Sequence, residues 1–344
     1  MDLRTRLRFR LRVELEARVT ERLKVGVRLA SNEGSNPVSG NVALGRAFAP
    51  RIMALDLAYV DWTAAPGVRL LAGKFPNPLY RSMGGARSQL LWDDDLTPEG
   101  LAQTITPITR KSGAVRRLAV HLQQWSLQEF ASETDSWMLG GQAVLDLAPR
   151  HGMALTLAGG YYGFANVERL ARAVNSNNLL IVTNGVVLRD GTVVAGGVPL
   201  TVDPAKPVDR FATDFGLLHG AATLGIQDAI GRTDLQLAGE SVVNLKVDRE
   251  RLGVQLTAGA TGFLPRAMLS LAWVHLERDA LLSMFSYSDL GRGGTNQQGW
   301  ILTVQYRATS PVTFALKEHY LRPILPVQPG APIHRLQLEA NVAF

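Results

Sequence analysis

The stretch from Leu3 to Val19, LRTRLRFRLRVELEARV, alternates between apolar and charged residues over almost its whole length. Apolar side chains occupy the odd positions, except at Thr5, and arginine or glutamate occupies every even position. A period of two residues is that of a β-strand with one face in an apolar medium and the other in water. The charged face must be wet, because burying unpaired guanidinium groups is too costly. We therefore predict one long strand here.

The composition limits the classes of protein that this chain can belong to. Its 344 residues include 46% hydrophobic residues, 33 glycines and no cysteine. The absence of cysteine excludes disulfide frameworks, thiolate metal sites and cysteine nucleophiles. No apolar run reaches the roughly 18 residues that a transmembrane helix needs. A long chain of alternating strands without such helices is typical of a transmembrane antiparallel β-barrel, an all-β fold.

The same alternation recurs along the chain and predicts about 15 strands in a single barrel domain, residues 1–344. Short turns and long loops alternate between the strands, as in barrels with tight periplasmic turns and long outer loops. The long loops are predicted near residues 31–51, 76–100, 165–208 and 278–299. One strand is predicted from Phe211 to Leu224.

The last predicted strand, Ile333 to Phe344, ends in an aromatic residue. Such an end resembles the C-terminal signal that the outer-membrane barrel assembly machinery reads. A periplasmic C-terminus puts the TER turn that follows Val19 in the periplasm, so the first strand begins outside. Bacterial single-chain barrels have even strand numbers. We therefore expect one strand and a signal peptide upstream of Met1, giving 16 strands of which about 15 are present.

Four segments together resemble the bacterial outer-membrane family called "putative porin". They are RTRLRFRLRVELEARVTERLKVGVRLAS, GKFPNPLY, LLWDDDLTPEGLA and ERDALLSMFSYSDLGRGGTNQQGW. The resemblance implies a 16-stranded, porin-like channel in the bacterial outer membrane, in contact with lipid and lipopolysaccharide, and it implies no chemistry. Trimers are common among porins of this size, so by analogy the alternatives are a homotrimer and a monomer.

The strand faces that point away from lipid should line the lumen. This parity selects a mainly basic set of pore-lining residues: Arg4, Arg6, Arg8, Arg10, Arg12, Arg18, Lys24, Arg28 and Asp56. A positive wall would raise the local concentration of anions. Alternatively, these cations pair with Glu14, Glu16, Asp56 and loop carboxylates and mainly keep the lumen hydrated.

The loop at 76–100 would be the third outer loop of a 16-stranded barrel, and in general porins the third loop folds inward and narrows the pore. Its charged residues are Arg81, Arg87, Asp93, Asp94, Asp95 and Glu99. An acidic loop opposite a basic wall would produce a transverse field. Alternatively, the acidic run is an exposed turn, a helix N-terminus with Thr97 as cap and Pro98 at N1, or a calcium site.

Two further sets of residues are assigned to the ends of the barrel. Asp289 and Arg292 lie in a glycine-rich rim loop, where they either serve the structure of the turns, which is the favoured interpretation, or bind solute. Aromatic residues near predicted strand ends should form belts at the membrane interfaces. They are Tyr59, Trp62, Trp137, Tyr161, Trp300, Tyr306 and Tyr320.

The sequence contains no catalytic motif, and its six histidines lack metal-ligand spacing. The net charge of +6 is not accompanied by a nucleic-acid-binding motif. We therefore predict no enzyme, metal, cofactor or nucleic-acid partner, but passive diffusion of small hydrophilic solutes with a preference for anions. The alternatives are a channel specific for an acidic solute or an inorganic anion, and a structural sheath around a partner.

Overall fold

A computed structural model describes residues 5–33, 36–45, 47–129, 134–176, 180–201, 203–291, 293–326 and 332–344. Arg4 and Arg292 lie outside the described residues. Fifteen strands form one antiparallel sheet in sequence order, with β1 and β15 at its two ends. The strands are β1 Arg12–Thr20, β2 Leu23–Asn32, β3 Ile52–Ala65, β4 Val68–Lys74, β5 Glu99–Thr109, β6 Val115–Gln128, β7 Ser136–Leu147, β8 Met153–Ala165, β9 Gly216–Ile230, β10 Thr233–Asn244, β11 Leu252–Thr261, β12 Ala267–Leu276, β13 Gln297–Arg307, β14 Val312–Pro323 and β15 Ile333–Val342.

The connections alternate in length, as the sequence pattern predicts. One end of the sheet has short turns such as residues 21–22, 66–67 and 231–232, and the other end has loops at 33–51, 75–98, 166–215 and 277–296. No helix among the described residues has the length and apolar character that a membrane span requires. The fold is a transmembrane antiparallel β-barrel whose long loops all leave from one end.

The outer face of the barrel is apolar because one residue in two points outward along each strand. Leu15, Leu139, Leu256 and Leu338 are all exposed large hydrophobic residues on this face. Their strand neighbours point into the lumen and are mainly charged, polar or small near the short-turn end. This division of the two faces is the one expected for strands between lipid and water.

The opening segment does not form the one long strand that its alternation predicts. Arg8 and Phe9 pair with Val42–Ala43 of the loop 33–51, and β1 begins only at Arg12. The hydroxyl of Ser31 accepts a hydrogen bond from the backbone N–H of Leu11 at 2.9 Å. The side-chain oxygen thus replaces a ladder bond at the junction, so the chain leaves the sheet there and continues towards the loops.

A β-bulge in β3 places Tyr59 on the inner face of the barrel and not in the predicted aromatic belt. Arg28 pairs with Leu57 while Leu29 pairs with Leu55, so Asp56 is an extra residue in β3. The bulge reverses the parity that follows it. Tyr59 consequently lies buried inside the barrel, and its predicted place in a membrane-interface belt is wrong. The other predicted belt residues are exposed: Trp62, Trp137, Tyr161, Trp300, Tyr306 and Tyr320.

The strand predicted from Phe211 to Leu224 is also displaced. β9 runs from Gly216 to Ile230, whereas Phe211 ends a short strand, Val208–Phe211, within the preceding loop. Phe211 and Phe215 pack edge to face at 5.7 Å inside this loop. The apolar pattern before Gly216 therefore reflects a loop core and not a membrane-facing strand.

The long loops are folded and pack on one another at their end of the barrel. The loop 166–215 contains α1, Val167–Ala173, and a three-stranded sheet of Val186–Leu188, Val193–Val194 and Val208–Phe211. Buried apolar residues of this loop form one cluster with those of the loops 75–98 and 277–296 and with inward-facing strand residues. This shared core holds the loops against the inner wall.

Candidate pore constriction

The loop 75–98, which we call the constriction loop, runs into the lumen from β4. The backbone N–H of Tyr80 donates to the side-chain oxygen of Gln142 on β7 at 2.7 Å. The Tyr80 hydroxyl lies 2.6 Å from the hydroxyl of Thr223 on β9. Both partners are inward-facing strand residues, so the loop has crossed the barrel interior at this point.

The tip of the constriction loop is a small hairpin, Met83–Gly84 paired with Ala86–Arg87, which lies against the far wall. The backbone N–H of Gly85 donates to Gln236 on β10 at 2.8 Å. The hydroxyl of Ser270 on β12 donates to the carbonyl of Gly84 at 2.8 Å. A Cβ at Gly259 would overlap the backbone of Gly84, so only glycine permits this approach.

A buried carboxylate anchors the loop just before the tip. One oxygen of Glu240 on β10 accepts from the backbone N–H of Ser82 at 3.0 Å and lies 3.3 Å from its hydroxyl. The other oxygen lies 3.3 Å from Nε2 of His219 on β9. Since a buried carboxylate is costly unless it is hydrogen-bonded, the hydrogen bonds from Ser82 tie the position of the loop to the barrel wall.

The returning half of the loop is held by aromatic packing. The ring of Trp92 is buried and contacts Trp125 edge to face at 4.9 Å and Tyr162 at 5.5 Å between centroids. Phe285 of the loop 277–296 lies 6.5 Å from the same ring. The carbonyl of Trp92 accepts from the buried Arg81 at 2.8 Å. Trp92 therefore joins the constriction loop to two strands and to a second loop.

The three aspartates that follow Trp92 have separate partners. Asp93 is buried and accepts from the backbone N–H of Ser288 at 2.9 Å. Asp94 lies 2.7 Å from Arg81 and 3.9 Å from Arg87, both on the same loop. Asp95 pairs with Arg10 and Arg12, each at 2.7 Å.

This arrangement corrects three interpretations of the acidic run. Asp95 touches the basic residues directly, so no open gap separates this carboxylate from Arg10 and Arg12. The carboxylates of Asp93, Asp94 and Asp95 do not converge, and among the described residues no group of three or more acidic or histidine side chains could hold a metal ion. A strand begins at Glu99, directly after Pro98, so Thr97 and Pro98 do not begin a helix.

The sequence pattern predicts that Glu99 belongs to the loop, but in the structure Glu99 is the first residue of β5. Its carboxylate lies 2.7 Å from the ammonium group of Lys74 on β4. The carboxylate of Asp289 in the rim loop accepts from Arg335 at 3.0 Å and lies 3.6 Å from Arg8. Both residues are therefore held in ion pairs at the long-loop end of the barrel.

The rest of the predicted basic wall is also mainly paired. Arg28 contacts Asp56 at 2.6 Å, and Lys24 contacts Glu16 at 2.8 Å. Arg18 is exposed and makes no ion pair with any described residue. Arg6 lies on the segment before β1 and is exposed. The structure thus brings Arg10, Arg12 and Asp95 together and leaves Arg18 some distance along β1 towards the short-turn end.

Sequence reasoning missed two ion pairs of the lumen wall. Arg69 on β4 binds Asp61 on β3 at 2.8 Å, and Arg117 on β6 binds Asp146 on β7 at 2.7 Å. All four are charged residues at inward positions of alternating strands. The parity rule applied to β4, β6 and β7 would have identified Arg69, Arg117 and Asp146. It would have missed Asp61, because the bulge at Asp56 reverses the parity of β3 before that residue. The anchors Glu240 and His219 carry the same signal on β10 and β9.

We expect the packing of the constriction loop against the loop 277–296 to depend on pH, because Asp93 is buried between them. Burial, followed by the nearby charge of Asp95, raises the pKa of Asp93 to about 7. Because this pKa exceeds the usual carboxyl value, the buried position of Asp93 between the two loops is most stable at low pH, where the carboxyl group is neutral. It loses stability as pH rises through about 7. We expect backbone amides near Ser288 to exchange hydrogen faster above pH 7, after correction for intrinsic rates. Asp93→Asn should abolish this pH dependence, and equal profiles for both proteins would contradict the assignment.

Three solved structures are similar to this chain at low sequence identity. Wzi, an outer membrane protein involved in group 1 capsule assembly in Escherichia coli and described as a carbohydrate-binding β-barrel, is 10% identical over 91% of this chain, with a TM-score of 0.49. This chain covers 64% of the length of Wzi. A Rhodopseudomonas blastica porin variant is 10% identical, with 98% of this chain and 90% of that chain covered and a TM-score of 0.47. Salmonella typhi OmpF in complex with daunomycin is 10% identical, with 90% and 82% covered and a TM-score of 0.47.

No curated protein matches the sequence. A family model described as "Putative porin" matches residues 2–190 and 211–320, which is most of the chain. The match includes β1, the constriction loop and most of the lumen wall described above. The chain therefore belongs to this "putative porin" family of bacterial outer-membrane proteins.

Proposed function

We propose that this porin-like channel passes small hydrophilic solutes by passive diffusion and weakly prefers anions. The family supports a porin-like outer-membrane channel. The observation that carries the preference is a surplus of positive charge on the wall formed by β1, β2 and the segment before β1. The preference is weaker than the arginine row alone suggests, because most of the row is paired.

The charges of this wall can be compared directly. Apart from Arg6, its six described basic residues are Arg8, Arg10, Arg12, Arg18, Lys24 and Arg28. Their five carboxylate partners are Glu14, Glu16, Asp56, Asp95 and Asp289. One of these carboxylates, that of Asp289, is also shared with Arg335. The wall therefore keeps an unbalanced positive charge, and Arg18 is the cation of β1 that is accessible to passing ions. A wet positive wall attracts anions.

The channel is favoured over a sheath around a partner protein. A sheath would present inward-facing apolar residues to its partner. Here the apolar residues inside the barrel, such as Tyr59, Trp125 and Tyr162, belong to the same buried cluster as the chain's own loops. The inward charges near the short-turn end are instead in water-accessible ion pairs. Homotrimer formation and recognition of Phe344 by the assembly machinery stay predictions.

Arg18→Ser is expected to shift the ion preference towards cations. A unit charge about 10 Å from a permeating ion contributes roughly 0.4 kcal/mol in water, which corresponds to about a twofold change in local ion concentration. The reversal potential in asymmetric KCl, measured on single channels in a planar bilayer, reports this change. Conductance should stay close to that of the unmodified protein, because Arg18 makes no contact with the constriction loop.

Two further variants test whether the shift in reversal potential depends on the position of the removed charge. Lys111→Ser removes one positive charge from a short connection between strands and should leave the reversal potential unchanged. The double variant Arg10→Ser, Arg12→Ser removes the partners of Asp95, so it should shift the preference more strongly. If the reversal potential of Arg18→Ser matched that of Lys111→Ser, the charge of β1 would not set the selectivity.

A further inference from the structure

A cavity of about 190 Å³ lies between the hairpin of the constriction loop and strands β11 to β14. Side chains with polar groups line it from both sides, among them Arg87, Asp94, Gln255, Tyr287, Thr303, Gln305 and Lys317. None of these residues belongs to the basic wall of β1 and β2.

The lining suits a molecule with many hydroxyl groups. Glutamine amides and threonine or tyrosine hydroxyls both donate and accept hydrogen bonds. Within the described part of the chain, the side chains of Thr303 and Gln305 make no hydrogen bond to the protein. Their polar groups are not among the buried atoms without a partner, so they are accessible from the cavity and can take a partner from a bound molecule. A bound polyol would supply one, and the ring of Tyr287 offers an apolar surface for its carbon skeleton.

The charges around the cavity sum to one excess positive charge. Arg81 lies 2.7 Å from Asp94 and balances its charge, and Lys317 lies 3.0 Å from Glu339. Arg87 is left with a contact of 3.9 Å to the oxygen of Asp94 that Arg81 already holds. Its side chain is 55% exposed. Arg87 is therefore the cation available to a solute, and a guanidinium group binds carboxylate or phosphate in a bidentate manner.

We propose that this cavity is a binding subsite for a monosaccharide-sized, polyhydroxylated anion such as a sugar acid. Pockets for drug-sized ligands measure about 300–1,000 Å³, so a cavity of this volume selects a smaller solute. Arg87 binds the anionic group, while Thr303, Gln305 and Gln255 bind the hydroxyl groups. The inference rests on the proposed function in that solutes reach the cavity through the lumen.

Calorimetric titration of the detergent-solubilised full chain with gluconate, glucose and acetate tests the proposal. Gluconate carries both features that the site requires, whereas glucose lacks the charge and acetate lacks the hydroxyl groups. We expect gluconate to bind at least about tenfold more tightly than either. Arg87→Gln should weaken gluconate binding about tenfold, and Thr303→Val about threefold. Lys111→Gln, in the exposed connection between β5 and β6 and not in the lining of the cavity, should bind gluconate like the unmodified protein.

The outcome for the subsite is independent of the outcome for the channel. Gluconate binding no tighter than that of acetate, or unaffected by Arg87→Gln, would overturn the subsite even if the protein conducts chloride. Binding with the expected pattern in a protein that conducts no ions would support the subsite and refute passive diffusion. In a conducting channel, gluconate should also reduce the chloride current. The concentration that gives half of this reduction should equal the dissociation constant of gluconate from calorimetry.

Discussion

Replacing Met83–Arg87 by two glycines is expected to raise the single-channel conductance about twofold, because the hairpin occupies lumen that ions would otherwise use and current follows the free width of a water-filled pore. The backbone N–H of Ser88 donates to the carbonyl of Ser82 at 2.8 Å, so the ends to be joined are already adjacent. The contacts of Tyr80 and Ser82 with the wall are retained. Conductance in symmetric KCl, recorded in planar bilayers, measures the effect.

A control of unchanged length separates the volume of the hairpin from its sequence. Exchanging the same five residues for alternating glycine and serine keeps the chain in the lumen and should raise the conductance less. Far-ultraviolet circular dichroism should show the same strand content in all three proteins. An unchanged conductance after shortening would mean that ions do not pass the hairpin, and the constriction would then have to lie elsewhere.

Trp92→Ala is expected to release the constriction loop from the barrel wall. Truncating a fully buried tryptophan costs about 3–5 kcal/mol when the surroundings cannot collapse. The strand ladder is not involved, so the loss should appear as loop mobility and not as unfolding of the barrel. We expect open-channel current noise to increase severalfold, and limited proteolysis to cut within residues 75–98 where the unmodified protein is resistant.

Trp300→Ala is the matched control for this prediction. Trp300 is 49% exposed on the outer face of β13 and does not belong to the buried cluster that the described loop residues form. Its truncation removes the same atoms but leaves the loop core intact, so noise and proteolysis should stay unchanged. Similar behaviour of the two variants would show that Trp92 does not hold the loop.

The local pattern of the chain was sufficient for the architecture. Residues alternate across a strand with a period of two whatever the rest of the molecule does, so the apolar face of β1 and the position of Lys24 and Arg28 could be predicted from order alone. The alternation of short and long connections likewise indicated the end from which the loops leave. Where the backbone departs from that period, as at Asp56 in β3, the prediction failed for Tyr59.

What the arginine row contacts was decided only by the tertiary structure. The sequence determined that Arg10 and Arg12 face the inside of a barrel, because side-chain parity is a property of neighbouring residues. It did not determine that Asp95 meets them, since that contact joins residues more than 80 positions apart through a loop that crosses the lumen. A loop takes its path from packing against distant strands, here through Trp92, Glu240 and Gly259. No local sequence pattern reflects packing between distant residues. The contacts between the wall and the constriction loop, and the cavity beside Arg87, could therefore be identified only in the folded chain.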